Sequence, residues 1–340
     1  FFSSCVLSGP LCSERMRTTF LWMLIAAVCL AAVSADPSAS DFFAPLSAPR
    51  AQAKGGKGGG GGGKGGGGEG GGGGGGYAGA DSISLKYGSG KGLAINGYQP
   101  SGDGPFPLFV YISGTTMTPW SADDQLITQR MVDKGFVAVS VDYDTRSSYP
   151  LFCSTLTETV RQLFDPNDSR SAIRKIVNSA EVKVDISLGV VTAGFSQGAN
   201  IATMAKNFLP QVRAAYALGN GYILSNMGCY AHEQLLIANT CVRSAIGADD
   251  WVWMAQDPRL MQISLSGHSC EGTECHQDNG SGWHVVQAAE LADGIANHCF
   301  FYGAGTCGAL PLDAQFESGS GWWALTPSLD WLASYASNGC

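Results

Sequence analysis

The stretch VVTAGFSQGAN, Val190 to Asn200, decides how this chain is read. It closes an apolar run, Ile186 to Ala193, with the composition of a buried strand. It opens a helical pattern, Ala199 to Phe208. Between them, Gly194-Phe195-Ser196-Gln197-Gly198 sets a serine between two glycines. A strand that turns directly into a helix brings two backbones close together, and small residues let them pass. An ordinary strand-to-helix turn would use small residues too. A serine held on such a turn, however, has its hydroxyl pushed out at the end of the strand. A hydroxyl becomes a useful nucleophile only when a base takes its proton, so the rest of the chain must supply one.

Working outward from Ser196, strand and helix patterns alternate. Ile83 to Tyr87 and Gly92 to Tyr98 read as short strands, and Pro107 to Ile112 as a buried one. Ser121 to Lys134 has helical spacing, with Leu126, Ile127, Met131 and Val132 on one side. Phe136 to Val141 is a strand. A helical region broken by Pro166 resumes at Arg170 to Ser179. Beyond the serine come strands at Ala214 to Leu218, Val242 to Ile246 and Trp283 to Val286. Helical patterns cover Ala255 to Leu265 and Ser328 to Tyr335. Alternation of this kind implies βαβ units and an α/β architecture, a mostly parallel central sheet flanked by helices.

The G-x-S-x-G pattern between a strand and a helix resembles the nucleophile elbow of the α/β-hydrolase superfamily. FPLFVYISGT, GADD and a late histidine add to the resemblance, which extends over Ile83 to Tyr335. It implies the α/β-hydrolase fold and a triad in the chain order serine, acid, histidine. Ser196 is then the nucleophile. The acid follows the strand Val242 to Ile246, in the turn Gly247-Ala248-Asp249-Asp250; the family's usual G-x-x-D turn selects Asp250, with Asp249 the alternative. The base belongs in the loop beyond the last strand. Of five histidines, His298 fits that place and resembles the Gly-x-x-His-Cys stretch of some secreted esterases, though Gly294 stands one residue farther away. His284, inside the strand pattern, and His268, just after a helix, are the alternatives. The resemblance also implies an oxyanion hole made by the backbone N–H of Gln197 and of Thr115, in Ser113-Gly114-Thr115-Thr116 where the family often has His-Gly. Trp120 and Trp251, beside these loops, are candidate substrate-lining residues. The segment Gly219 to Cys241, the usual place of a lid, is short, which favours an open cleft. No metal or organic cofactor is implied. The expected activity is carboxylic ester hydrolysis through an acyl-enzyme, on a small or polymeric ester. A peptidase of the same fold, or a non-catalytic binding relative, would share these features.

The N-terminal part reads differently. Residues 1–15 precede the first methionine and read as untranslated upstream sequence. Met16 to Ala35 has an arginine, an apolar core and a Val33-Ser34-Ala35 cleavage pattern, the layout of a secretory signal peptide. Residues 36–76 are Ala/Ser/Pro-rich and then almost pure glycine. They cannot bury side chains to offset ordering entropy and read as a linker. The folded domain is expected over 77–340. Of 11 cysteines, eight lie from Cys153 onward. An even number in an exported chain implies disulfides and an extracellular location. Spacing favours Cys229–Cys241, Cys270–Cys275 and Cys299–Cys307, leaving Cys153 and Cys340 to pair. No CxxC or helix-face ligand pair suggests zinc. The net charge of −8 and the lack of any Lys/Arg-rich stretch argue against nucleic acid or anionic membrane as partner.

Overall fold

The computed structural model describes residues 79–115, 119–145, 153–221, 229, 231–250, 257–301, 307 and 311–338, all within one compact unit, Gly72–Cys340. The leader and linker readings, together with Trp251 and Cys340, lie outside the described residues.

Nine strands, among the described residues, form one sheet in the order β1-β2-β4-β3-β5-β6-β7-β9-β8. They are β1 (Ala80–Tyr87), β2 (Leu93–Pro100), β3 (Leu108–Ile112), β4 (Val137–Val141), β5 (Val190–Phe195), β6 (Val212–Leu218), β7 (Val242–Gly247), β8 (Glu274–His276) and β9 (Gly282–Val286). The six strands from β4 to β9 in this order run parallel. The edges are antiparallel: β1 on β2, β2 on β4, and β8 on β9. This is the mostly parallel, helix-flanked sheet that the α/β-hydrolase resemblance implies.

The central strands are buried on both faces, so they read as unbroken apolar runs and not as alternation. Alternate residues nevertheless feed two separate cores. On one face, Val110, Val139 and Ala215 meet Leu156, Val160 and Leu163 of helix α2 (Cys153–Phe164), Ile173 of α3 (Ala172–Asn178), Ile201 of α4 (Gln197–Met204) and Leu265 of α5 (Pro258–Ser266). On the other, Phe109, Tyr111 and Tyr216 meet Ile127 and Met131 of α1 (Ala122–Val132), Phe316 of α6 (Ala314–Ser318), and Leu329 and Leu332 of α7 (Leu325–Asn338). Each such aliphatic side chain contributes about 1.5–3 kcal/mol on burial.

Local chemistry sets the element ends. The Ser121 hydroxyl caps α1 by accepting the Asp124 N–H. Ile186–Leu188, expected to open β5, is instead a 3-10 turn: the Asp185 carboxylate accepts the Ser187 N–H, and the chain enters the strand through Gly189 at φ +114°. Helix α4 begins at Gln197, two residues earlier than expected, because the turn at Ser196 is a single residue wide. Strand β8, with its polar ends, had no apolar alternation to mark it. Between β6 and β7 the described residues hold 3-10 turns and no α-helix.

Cys270–Cys275 and Cys299–Cys307 are bridged as spacing suggests. The pairing of Cys229 with Cys241 is not: Cys229 is bonded to Cys153 at the start of α2, and Cys241 is bridged elsewhere. The reason is topological. A parallel crossover must carry the chain from the end of β6 to the start of β7, so Cys241, next to Val242, is delivered to the opposite edge of the sheet. Cys153 is therefore not available to Cys340. Bridges in this number belong to an oxidising environment. No described helix is long and apolar enough to cross a membrane.

Candidate active site

Ser196 lies between the last residue of β5 and the first of α4, at φ +56° and ψ −123°. Non-glycine residues seldom adopt positive φ, and such strain collects at functional positions. The turn is held from both sides. The Ser196 N–H donates to Leu218 O at 2.8 Å, and its carbonyl accepts the Ala199 N–H at 3.0 Å. The two glycines around it answer to close packing. A Cβ on Gly194 would run into the Gly198 carbonyl, and one on Gly198 into the carbonyls of Ile112 and Ser113 at the end of β3. Strand β5, helix α4 and the loop after β3 thus pass one another with no room for a methyl group.

That loop carries Ser113, Gly114 and Thr115. A Cβ on Gly114 would stand 3.0 Å from Ser196 Cβ, so the loop lies directly against the serine. The Thr115 hydroxyl donates to Gln197 Oε1 at 2.5 Å, tying the loop to the first residue of α4. Tyr143, after β4, donates its hydroxyl to Ser113 O at 3.0 Å and approaches Gln197 Oε1 at 3.3 Å. Burial, then the nearby Asp142 carboxylate, push the Tyr143 phenol well above its ordinary pKa, so it stays a donor.

The acid and the imidazole meet next door. His298 Nδ1 and Asp250 Oδ2 are 2.7 Å apart, and the two residues are 3% and 4% exposed, against 8% for Ser196. Asp250 follows β7, and its N–H bonds Gly247 O. Asp249, the alternative acid, is exposed, and its N–H bonds Ala296 O. This bond, with the tight fit of Gly247 against the carbonyls of Ala296 and Asn297, holds the histidine loop on the end of β7. The Cys299–Cys307 bridge anchors the loop one residue beyond the imidazole. The His298 ring packs on Phe195, the neighbour of Ser196, at 4.7 Å between centroids. Serine, acid and histidine therefore gather at the carboxyl edge of β5, β6 and β7, where open α/β sheets place their ligands. A carboxylate on Nδ1 favours the tautomer that carries its proton there, in which Nε2 is the accepting nitrogen.

One contributor carried no signal in the sequence. Gly219, after β6, has φ +57°, and a Cβ there would lie 3.2 Å from His298 Cε1 and 3.0 Å from the Phe195 ring. It leaves the space in which the imidazole sits. The other histidines are engaged elsewhere: His268 Nε2 with Asn239 O, His232 Nδ1 with Ser264 O, and His284 with Glu290 and His276. Trp120, half-buried, follows the Thr115 loop and packs on Tyr98 at 5.2 Å; its own φ is +59° and its N–H bonds the buried Asp124 carboxylate.

No known protein family and no curated protein matches the chain in sequence. Solved structures do resemble it. A Klebsiella pneumoniae protein assigned as a dienelactone hydrolase is 17% identical over 75% of this chain and 99% of its own, with a TM-score of 0.45. A Thermoplasma acidophilum protein assigned as a CIB-like hydrolase is 13% identical over 75% and 100%, with a TM-score of 0.44. Esterase Est22 is 19% identical, but the match spans 43% of this chain and 45% of Est22, with a TM-score of 0.33. Likenesses of this degree carry no assignment of activity.

Proposed function

We propose that the protein is an exported serine hydrolase that cleaves carboxylic esters through an acyl-enzyme. The observation that carries this reading is the buried 2.7 Å pair of Asp250 and His298, packed on the residue that precedes a positive-φ serine. In the proposed reaction His298 Nε2 takes the Ser196 proton as Oγ attacks the ester carbonyl. The tetrahedral oxyanion receives N–H donors from the backbone of Gln197 and Thr115. Gln197 is the first residue of α4, where helix N–H groups have no intrahelical acceptor and the dipole favours negative charge. The imidazolium then protonates the leaving alcohol, with Asp250 stabilising its charge. Water repeats the sequence on the acyl-enzyme and releases the acid. Trp120 would line the acyl or aryl site. The disulfides support export, with the leader ending at Ala35.

The test is labelling with a fluorophosphonate, followed by turnover of short-chain p-nitrophenyl esters. Wild-type protein should label at Ser196 and hydrolyse the ester; Ser196→Ala should do neither while remaining folded by circular dichroism. Unlabelled, inactive wild type would favour a non-catalytic binding protein. Labelling with turnover of peptides alone would make it a peptidase.

A further inference from the structure

A second group of chemically active side chains lies on the terminal ribbon of the sheet. Strand β8 reads Glu274-Cys275-His276 and pairs antiparallel with β9, Glu274 directly opposite His284 and His276 opposite Gly282. Alternation along β8 puts Glu274 and His276 on one face, and direct pairing puts His284 there too. Cys275, between them, points the other way into the core and its bridge to Cys270. Gly282 leaves no side chain to crowd His276.

The donor atoms converge. His276 Nε2 and His284 Nδ1 are 3.1 Å apart, and Glu274 Oε2 lies 3.4 Å from the second and 3.8 Å from the first. Neighbouring ligands held roughly 2.0–2.2 Å from one ion show separations of this size. The outer contacts fit as well. His284 Nε2 donates to both oxygens of Glu290, at 2.9 and 3.1 Å. This fixes the proton on Nε2 and aims the Nδ1 lone pair at Glu274 and His276. A carboxylate behind a histidine is the usual support of a metal-bound imidazole. Glu290 is itself oriented by the Gln287 N–H at 2.8 Å and Trp323 Nε1 at 3.1 Å, and the His276 ring is stacked on Trp322. One guanidinium stands nearby, Arg243 over Trp322; two carboxylates outnumber it.

We propose that Glu274, His276 and His284 bind one divalent transition-metal ion, Zn²⁺ foremost, which clamps the edge strand β8 onto β9. Two imidazoles and one carboxylate are a donor set suited to zinc and its first-row neighbours, and not to Ca²⁺ or Mg²⁺. Water completes the coordination, since Glu274 and His276 reach solvent while His284 is buried. Binding requires His276 with its proton on Nδ1. The role is structural, independent of the proposed hydrolysis: the ion would cross-link a three-residue edge strand whose ladder is short.

The experiment uses the full chain purified without a histidine tag and stripped with a chelator. Zn²⁺ is titrated against a chromophoric competitor, and the thermal midpoint is followed with and without Zn²⁺. One ion per chain is expected, with a rise in midpoint. Glu274→Gln and His276→Gln, both on exposed positions, should each weaken uptake at least tenfold and remove the rise. His232→Gln, a histidine outside the cluster, should bind as wild type does. His284→Ala removes a buried side chain and is read only if the variant folds. Uptake no tighter than millimolar, or equal uptake by wild type, Glu274→Gln and His276→Gln, would overturn the proposal and leave the cluster as a hydrogen-bonded network.

Discussion

Two histidine–carboxylate pairs among the described residues, His298 with Asp250 and His284 with Glu290, differ in a way that separates a candidate base from a candidate ligand. His298 meets Asp250 through Nδ1, on a loop at the carboxyl edge of the sheet, against the neighbour of a strained serine. His284 meets Glu290 through Nε2, within β9, and turns Nδ1 toward a second imidazole and a second carboxylate. A short bond to a carboxylate is thus not by itself the mark of a catalytic histidine. What decides is which nitrogen the carboxylate occupies and what the remaining one is left to face.

The comparison breaks most readily at the triad. Ser196→Ala and His298→Ala should each lower ester turnover by about 10⁴-fold or more, with little further loss in the double variant, because triad members act as a unit. Steady-state kinetics on p-nitrophenyl esters, with circular dichroism as a folding control, measures this. His268→Ala should stay near wild type. His284→Ala should show its defect in the thermal midpoint, lower by several degrees, since Glu290 would lose a buried partner. An unshifted midpoint in His284→Ala together with an inactive enzyme would exchange the roles of the two pairs.

The acid comes next. Asp250→Asn should cost about 10³–10⁴-fold in turnover by freeing the imidazole tautomer, whereas the exposed Asp249→Asn should change it by less than threefold, roughly the surface expectation. Equal losses would place the acid wrongly. Smaller again is Gly219→Ala. Its methyl would press on His298 in a backbone conformation alanine adopts with strain, so turnover should fall about 10–100-fold and stability by about 1–2 kcal/mol. A kcat loss with an unchanged KM would sharpen the view that Gly219 makes room for the base; an effect on stability alone would remove it from the site. The smallest effect is expected for Thr115→Val, which keeps the backbone N–H and deletes the hydroxyl bonded to Gln197. Denaturant unfolding should register about 0.5–1.5 kcal/mol, and turnover should fall less than tenfold. A loss as large as that of Asp250→Asn would mean that the hydroxyl itself meets the substrate.

Strand, turn and helix around Ser196 are legible in the chain because they depend on neighbours: an apolar run, two glycines four residues apart, and a helical period. The order serine, aspartate, histidine is a linear property too, and it singles out few candidates. The G-x-x-D pattern favoured Asp250 but left Asp249 open. The two differ by one residue, and only the register of β7 with its following turn sends one side chain inward and the other to solvent. Linear order could not pair Cys229 with Cys153, 76 residues away, when Cys241 is far closer along the chain; a parallel crossover separates what spacing joins. Gly219 looked like any loop glycine until the sheet brought His298 and Phe195 to its Cα. Glu274, His276 and His284 have neither the spacing of a zinc knuckle nor that of a helix-face pair. Their convergence comes from strand alternation plus one antiparallel register, and β8 is too short and too polar to announce itself as a strand. Composition and local pattern therefore determined the architecture and the cast of residues. Contacts across the sheet decided their partners, because a side chain's neighbours on an adjacent strand are set by how two stretches pair in register, which neither stretch shows when read alone.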